Sequence, residues 1–416
     1  MITREKCQLK DDEDLLFSYK SQFSIPNKTI YLDGNSLGAL PQKSADFAHE
    51  IIEKEWGKGL INSWNTENWW ELPVYLGNKI AKIIGADINE TVVTDTTSIN
   101  LFKTIASALK IQEINNQYRK VIIVEKDSFP TDIYMLQGFI DLVGKNYEID
   151  FINSPGELEE KLNHYTALVI LSHVNYRTGY LYDMNSITNK IKENGALVIW
   201  DLCHSVGALP INLKEADADF AVGCTYKYLN GGPGSPAFLW VNPKYHNLVT
   251  QPLSGWWGHA KPFDMTSDYE PASGIRRYLS GTQPIISMKL IECGLDIFLK
   301  TDMEKIRAKS ISLTELFISL MDQECKNLGC KLITPREIKY RGSHVSYYHP
   351  NAYGIIQELI SKGIIGDYRE PRVMRFGITP LYLSHIDIWD AVQNIKLILK
   401  DGSWNKEKYK IRNAVT

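Results

Sequence analysis

The sequence predicts an α/β protein with a mainly parallel sheet in a large domain and a smaller α+β domain. The chain has 416 residues, and one ordinary domain has roughly 100 to 200 residues. Between about residues 91 and 241, short apolar runs alternate with helical stretches. After about residue 285, the pattern changes to long helical stretches followed by short strands. These three observations favour two domains around a substantial core.

Short apolar runs predict the strands of the large domain. Continuous apolar runs of about five residues are typical of strands that are buried on both faces. Because helical stretches separate the runs, we expect a mainly parallel sheet that is covered by helices on both sides. The runs cover residues 121–124, 149–152, 167–171, 196–200, 219–222 and 237–241.

The C-terminal part of the chain predicts the smaller domain. Strands are expected near residues 344–349 and 372–376, and a last helix is expected from about 384 to 399. The N-terminal segment is expected to join this part. We therefore assign residues 45–285 to the large domain and residues 1–44 with 286–416 to the small one.

Composition excludes several classes of function. The 46 Lys and Arg residues nearly balance the 49 Asp and Glu residues, so a nucleic-acid-binding surface is not expected. No apolar run approaches the ~18 residues of a membrane span, and the N-terminus lacks the apolar core of a signal peptide. We therefore expect a cytoplasmic protein that acts on a small molecule. The six cysteines and nine histidines show no metal-ligand spacing, so we expect reduced thiols and no metal site.

Polar residues follow three of the predicted strands. Ser172 comes after the run at 167–171, Asp201 ends the next run, and Lys227 comes soon after a third. In open α/β sheets, ligands bind outside the carboxyl ends of the strands. These residues are therefore predicted to meet in one crevice.

Lys227 stands just beyond a buried strand and before a glycine-rich turn at residues 231–234. A lysine at this place can reach into the crevice, where desolvation and neighbouring cations would lower its pKa and make it a nucleophilic amine. The glycines let the backbone approach a ligand closely. An isolated lysine is more often a solvated loop residue, and its neighbours decide between the two interpretations.

Asp201 lies 26 residues before Lys227 and is the most informative of these neighbours. A carboxylate beside a pyridine nitrogen keeps the nitrogen protonated, which makes pyridoxal 5′-phosphate (PLP) an effective electron sink. Alone, Asp201 could be a turn or capping residue, but the succession strand–Asp and strand–Lys is much more specific. It predicts a PLP enzyme with a Schiff base on Lys227. His204 either orients Asp201, lies near the phosphate or is a structural histidine.

Two further segments fit a PLP site. The hydroxyl residues at 94–98 precede a helical stretch at 99–109, and a helix N-terminus capped in this way can cradle a phosphate. Phe129 could stack on the cofactor ring, and Asp132 could add negative charge near the ring nitrogen. There are competing interpretations. The hydroxyl residues and Asp132 could be ordinary helix caps, and Phe129 could be a core residue.

Taken together, these motifs resemble the kynureninase family of fold-type I PLP enzymes. The resemblance extends from residue 31 to residue 385, and the matching stretches are 31–38, 129–132, 173–179, 200–205, 226–234, 251–256 and 375–382. It implies a seven-stranded, mainly parallel sheet and hydrolysis of L-kynurenine at a C–C bond to anthranilate and L-alanine. It also implies a homodimer whose active sites lie between the subunits.

The resemblance implies a role for each matching position. Asp201 and Asp132 would face the pyridine nitrogen, and Trp256 and Thr282 would reach the phosphate from the partner subunit. The full set of implied cofactor-binding residues is Thr96, Thr97, Phe129, Asp132, Ser172, Asp201, His204, Tyr226, Lys227, Trp256 and Thr282.

The resemblance also implies the catalytic and substrate-binding residues. Lys227 would move the α-proton, Tyr226 or a linked water would serve as acid and base at the γ-ketone, and Asp201 would tune the electron sink. Arg375 would grip the substrate α-carboxylate, a bidentate task that suits a planar guanidinium.

The substrate preference is expected to depend on Trp64, Gly281 and Thr282. Members that favour 3-hydroxykynurenine are similar to one another in having polar residues at these positions. An indole and a bare glycine offer little to hydrogen-bond a 3-hydroxyl group, so we expect a preference for kynurenine. Trp64 also has a simpler interpretation as a packing or dimer-interface residue.

Two other functions remain possible at this point. A cysteine desulfurase or aminotransferase would share the Asp201 and Lys227 motifs, but a desulfurase needs a reactive cysteine on a mobile loop, and no cysteine lies in a convincing glycine-rich loop of the later half. A PLP-binding protein without catalysis is the second alternative. The presence of Lys227, Asp201, Tyr226 and Arg375 together argues against it.

Overall fold

The computed structural model describes residues 2–115, 118–144 and 147–413. We number its α-helices along the chain. Those in the described residues are α1 (Arg4–Asp12), α2 (Ser44–Glu50), α3 (Ser63–Thr66), α4 (Leu72–Ile83), α5 (Thr97–Asn115), α6 (Pro130–Val143), α7 (Glu157–Lys161), α8 (Met184–Glu193), α9 (Ile285–Phe298), α10 (Met303–Cys325), α11 (Ala352–Ser361) and α12 (His385–Asp401). None of these helices is long and apolar enough to cross a membrane.

The strands form one large and three small sheets within the described ranges. They are β1 (Phe23–Ser24), β2 (Ile30–Tyr31), β3 (Leu40–Pro41), β4 (Thr91–Val93), β5 (Val121–Glu125), β6 (Glu148–Ile152), β7 (Thr166–Ser172), β8 (Leu197–Asp201), β9 (Phe220–Gly223), β10 (Phe238–Val241), β11 (Lys331–Leu332), β12 (His344–Tyr348), β13 (Ile364–Ile365), β14 (Asp367–Arg369) and β15 (Val373–Gly377).

The large sheet has seven strands in the order β4-β10-β9-β8-β7-β5-β6. The five adjacent strands β6, β5, β7, β8 and β9 pair in parallel. Strand β10 pairs antiparallel with both β9 and β4. The predicted α/β fold with a mainly parallel seven-stranded sheet is therefore confirmed. Each of the six apolar runs becomes a strand, and β4 is the strand that no run predicted.

Alternate side chains of the central strands enter two different cores. On β7, Leu168 and Ile170 pack in one core, while Val169 and Leu171 pack in the other. All residues of this strand are buried, because a strand with helices on both faces has no solvent-facing side. The continuous apolar runs have this physical origin.

The C-terminal part contains a four-stranded antiparallel sheet in the order β11-β12-β15-β14. Its strands β12 and β15 and helix α12 lie where the sequence predicts them. The N-terminal segment joins this part, since β2 pairs in parallel with β13 and α1 packs on α12. The boundaries at residues 45 and 285 stay a prediction.

Candidate active site

A cavity of about 210 Å³ lies at the carboxyl ends of the central strands. Strands β7 and β8 end there at Ser172 and Asp201, and β9 ends four residues before Lys227. The cavity is lined by Thr96, Thr97, Ser98, Phe129, Thr131, Asp132, Ser172, Tyr176, Asp201, Cys203, His204, Tyr226, Lys227, Gly234, Ser235 and Ala237. Nine of the residues that we predicted from the sequence therefore meet in one place.

Lys227 contacts three of the predicted residues. Its Nζ lies 3.1 Å from Nε2 of His204 and 5.7 Å from the ring centroids of both Phe129 and Tyr226. The loop that carries it is fixed from outside, because the Gly38 N–H donates to the carbonyl of Tyr226 at 2.8 Å. The backbone just before Lys227 is therefore fixed by a contact from the N-terminal segment.

The pKa of Lys227 differs from our expectation. Burial lowers it, but the acidic groups of Cys224, Cys203, Tyr226 and Asp201 together raise it more, so the pKa lies above its ordinary value. The predicted lowering by cations is wrong because the ionisable neighbours that dominate are acids.

His204 is a neutral imidazole in this site. Burial is the main reason that its pKa falls well below the ordinary value, and the positive charge of Lys227 lowers it further. Its Nε2 faces the Lys227 amine and can accept a hydrogen bond from it, which requires the other ring nitrogen, Nδ1, to carry the hydrogen. Among the described residues, this buried Nδ1 has no hydrogen-bond partner.

Two carboxyl groups lie at the floor of the cavity. Burial and the negative charge of Asp201 raise the pKa of Asp132 well above its usual range, because two close carboxyl groups do not both ionise readily. The Ser172 hydroxyl donates to Oδ2 of Asp132 at 3.3 Å. The backbone N–H of Cys203 donates to Oδ1 of Asp201 at 2.8 Å, which orients the Asp201 carboxyl group.

The N-terminus of α5 opens at the other end of the cavity. Thr96, Thr97 and Ser98 line the cavity there. The Ile99 N–H donates to Oγ1 of Thr96 at 3.4 Å, and the Asn100 N–H donates to the carbonyl of Thr96 at 2.9 Å. The preceding N–H groups of the first turn are available to an anion, and the helix dipole favours negative charge at this position.

These features fit PLP on chemical grounds. PLP has an aldehyde that reacts with an amine, a ring nitrogen that needs a carboxylate, and a phosphate. The cavity presents Lys227, Asp201 and the N-terminus of α5 to these three groups, and the Phe129 ring lies beside the amine. The buried, unpartnered Nδ1 of His204 leaves one further hydrogen bond for a bound group.

Five of the predicted residues do not line this cavity in their own chain. Gly281 and Thr282 are exposed, and a Cβ atom at Gly281 would meet no atom within 4 Å. Trp64 and Trp256 line a separate surface cavity of about 520 Å³. There the rings of Trp64, Trp70, Trp256, Trp257 and Phe263 form a continuous group, which we call the tryptophan cluster.

Arg375 also lies outside the cavity wall, one residue behind it. Its guanidinium is buried and donates from Nη1 to the carbonyl of Tyr176 at 2.7 Å, and the side chain of Tyr176 lines the cavity. Asp367 accepts from Nε at 2.9 Å and also from Nη2. The expected bidentate grip on a substrate therefore has a competing partner within the protein.

Sequence reasoning did not single out Tyr176, Cys203 or Asp367. Tyr176 and Cys203 lie inside matching stretches, at 173–179 and 200–205, so the signal was present without an assigned role. Asp367 stands in the short strand β14, outside every matching stretch, and only the strand register places it opposite Arg375.

The fold and the site together define a PLP-dependent enzyme of fold type I. Residues 74–347 match the family model for class-V aminotransferases. A solved structure of apo cysteine desulfurase from Thermococcus onnurineus NA1 superposes with a TM-score of 0.77 over 92% of this chain and 98% of that one, at 19% identity. A variant of C-DES with glycine covalently linked to its PLP cofactor gives a TM-score of 0.78 over 91% and 98%, at 16% identity. At these identities, the likeness shows the fold alone.

The particular family follows from more similar relatives. Residues 306–395 match the model of the kynureninase C-terminal domain. The kynureninases of Pseudomonas fluorescens and Burkholderia mallei (strain SAVP1) are 52% and 50% identical to this chain, in both cases over 100% of both sequences. The chain belongs to the kynureninase family, and it is a PLP-dependent hydrolase of the class EC 3.7.1.3.

Proposed function

We infer that this protein hydrolyses L-kynurenine between Cβ and Cγ to give anthranilate and L-alanine. The observation that carries the proposal is the meeting of nine predicted residues in one cavity around Lys227, in a chain of the kynureninase family. We also propose a cytoplasmic location, which the free cysteines support.

The residues of the cavity divide the chemistry between them. Bound PLP would supply the electron sink for cleavage, and Asp201 would keep its ring nitrogen protonated. Because its raised pKa keeps the resting amine protonated, Lys227 would take the proton from Cα only after it has lost its own extra proton. Nε2 of His204 lies 3.1 Å from this amine. Tyr226 keeps its hydroxyl proton because burial raises its pKa, so it can donate that proton while water attacks the γ-ketone.

We further propose a homodimer in which each subunit completes the other's site. Trp256 and Thr282 lie outside the cavity of their own chain, as residues directed at a partner would. The tryptophan cluster and its neighbours expose large apolar side chains, with Ile61 75%, Phe263 68% and Met265 70% exposed. An exposed apolar patch of this kind is typical of a protein–protein contact.

The proposed preference is for kynurenine over 3-hydroxykynurenine. Trp64 is half-buried, its ring contacts those of Trp69 and Trp257, and Gly281 offers no side chain. A 3-hydroxyl group next to these positions would lose water without gaining a full partner, and an unpaired buried hydroxyl costs about 1–3 kcal/mol.

A coupled assay tests the reaction and the preference together. The purified protein with PLP is mixed with L-kynurenine or its 3-hydroxy analogue, and anthranilate fluorescence and alanine release are followed. We expect faster cleavage of L-kynurenine and no steady turnover by Lys227→Ala. No product from either substrate would contradict the proposed reaction, whereas faster cleavage of the hydroxylated substrate would contradict only the preference.

A further inference from the structure

The partners of Arg375 leave it with little capacity for a ligand. A guanidinium has five N–H donors. Two of them bind Asp367, one binds Ser36 Oγ at 2.8 Å and one binds the Tyr176 carbonyl at 2.7 Å. One Nη1 donor remains, so Arg375 alone cannot bind a carboxylate through two hydrogen bonds while its other bonds persist.

A second arginine stands beside this group. Nη2 of Arg369 lies 2.8 Å from Oδ2 of Asp367 and 3.1 Å from Ser36 Oγ. Asp367 is thus the shared counter-ion of both arginines, and Ser36 donates to the same Oδ2 at 2.7 Å. Because two arginines pair with one aspartate, the group of Arg369, Arg375 and Asp367 has a net positive charge.

Arg369 also differs from Arg375 in its access to solvent. The Arg369 side chain is 30% exposed, whereas those of Arg375 and Asp367 are 1% exposed. Its Nη1 donates at 3.3 Å to the carbonyl of Tyr368, a weak bond that a stronger acceptor can replace. The positive charge of Arg369 acts on the cavity, since it contributes to the lowered pKa of His204.

We propose that Arg369 is a second substrate-binding residue, which shares the α-carboxylate with Arg375, and that Asp367 positions both guanidinium groups. The inference rests on the proposed function, because the carboxylate is that of the proposed amino-acid substrate. Arg375 contributes its remaining Nη1 donor, and Arg369 contributes donors from its exposed side. Two arginines with one common aspartate give a planar carboxylate two charge-assisted bonds without leaving Asp367 unpaired.

The test compares Arg369→Gln, Arg369→Lys and the control Arg372→Gln in the PLP-loaded enzyme. Arg372 is an exposed arginine three residues further along. We expect Arg369→Gln to raise KM for L-kynurenine about tenfold to a hundredfold, with kcat within about threefold of the parent. Arg369→Lys should recover part of the loss because it keeps the charge but not the planar fork. Arg372→Gln should change neither constant.

Two products separate a lost carboxylate contact from a general disturbance. L-alanine retains the α-carboxylate, so its dissociation constant, measured from the PLP absorbance, should rise with KM in Arg369→Gln. The inhibition constant of anthranilate, whose carboxylate derives from the ketone, should stay the same. A KM within twofold of the parent, or an equal weakening of both products, would overturn the inference. A parent enzyme that binds L-alanine but does not cleave kynurenine would overturn the proposed function alone.

Discussion

Asp33 is the residue whose protonation should control the charge of the carboxylate site. Burial, and then the negative charge of Asp367, raise its pKa to about 8, although Arg375, Ser36 and Arg369 act in the opposite direction. Its Oδ1 is buried and has no hydrogen-bond partner among the described residues. Three tyrosines also face it and stay neutral here because burial raises their pKa values: Tyr31, Tyr228 and Tyr382.

The affinity for L-kynurenine should therefore fall as the pH rises through about 8. Below this pH, protonated Asp33 leaves two arginines facing one aspartate; above it, a second negative charge opposes the substrate carboxylate. We expect KM to rise by up to about tenfold, the effect of one pKa unit of coupling. Asp33→Asn should remove this part of the pH dependence of KM. An unchanged slope in this variant would contradict the role of Asp33.

For single residues, the sequence predicts those that line the cavity better than those that lie behind its wall. Lys227, Asp201 and Ser172 could be placed together because each follows a strand of a parallel sheet, and such strands share one carboxyl end. Asp367 could not be found, because it lies eight positions before Arg375 and their contact becomes evident only when the register of β14 and β15 is known. The raised pKa of Lys227 was missed for a similar reason, since its acidic neighbours come from separate segments.

Among the elements, helix α12 is stabilised at its N-terminus by a residue from another helix. Asp11 of α1 accepts from the backbone N–H groups of His385 at 2.7 Å and Ile386 at 3.0 Å, and from Nδ1 of His385 at 2.8 Å. These are first-turn donors that have no partner within the helix. Ser384 and Asp387 add a capping box.

Asp11→Ala should lower the free energy of unfolding by about 1–3 kcal/mol, because it leaves buried donors unpaired. A lower urea midpoint would report the loss, and Asp12→Ala is the matched control because Asp12 is exposed on the same helix. Burial raises the pKa of Asp11, but hydrogen bonds from the His385 side chain and from the N–H groups of His385 and Ile386 lower it more. Its stabilising effect should therefore be complete at neutral pH and be lost as the pH falls through the lowered pKa. Equal midpoints for both variants would refute this capping role.

Element prediction succeeds where a strand is long and buried and fails where it is short. The three residues of β4 and the two of β13 are too few to show a period. The direction of β10 was also hidden, because a strand buried on both faces is an apolar run whether it is parallel or antiparallel. Only the pairing of Phe238 with Gly223 and Val93 reveals it.

For the whole molecule, the proposed dimer can be tested at its apolar surface. Phe263→Asp replaces an exposed ring of the tryptophan cluster by a charged side chain. The control, Leu397→Asp, replaces an apolar side chain on α12 that is 55% exposed. We expect only Phe263→Asp to shift sedimentation from dimer to monomer and to reduce kynurenine turnover, since Trp256 would no longer reach the partner's cavity. A monomeric parent, or a fully active dimeric Phe263→Asp, would contradict the proposed assembly.

The pairing of β2 with β13 also determines when the fold can be completed during synthesis. Ile30 and Tyr31 find their partners at Ile364 and Ile365, and the ribosome makes the intervening chain in roughly 20 to 70 s at usual rates. Throughout this interval, β2 has no strand to join, and Ser36 lacks its contact with Arg375. The seven-stranded sheet can form first, whereas β2 can pair only after residue 365 has emerged. Loss of the C-terminal strands would therefore release the N-terminus as well, and leave an apolar segment open to chaperones and proteases.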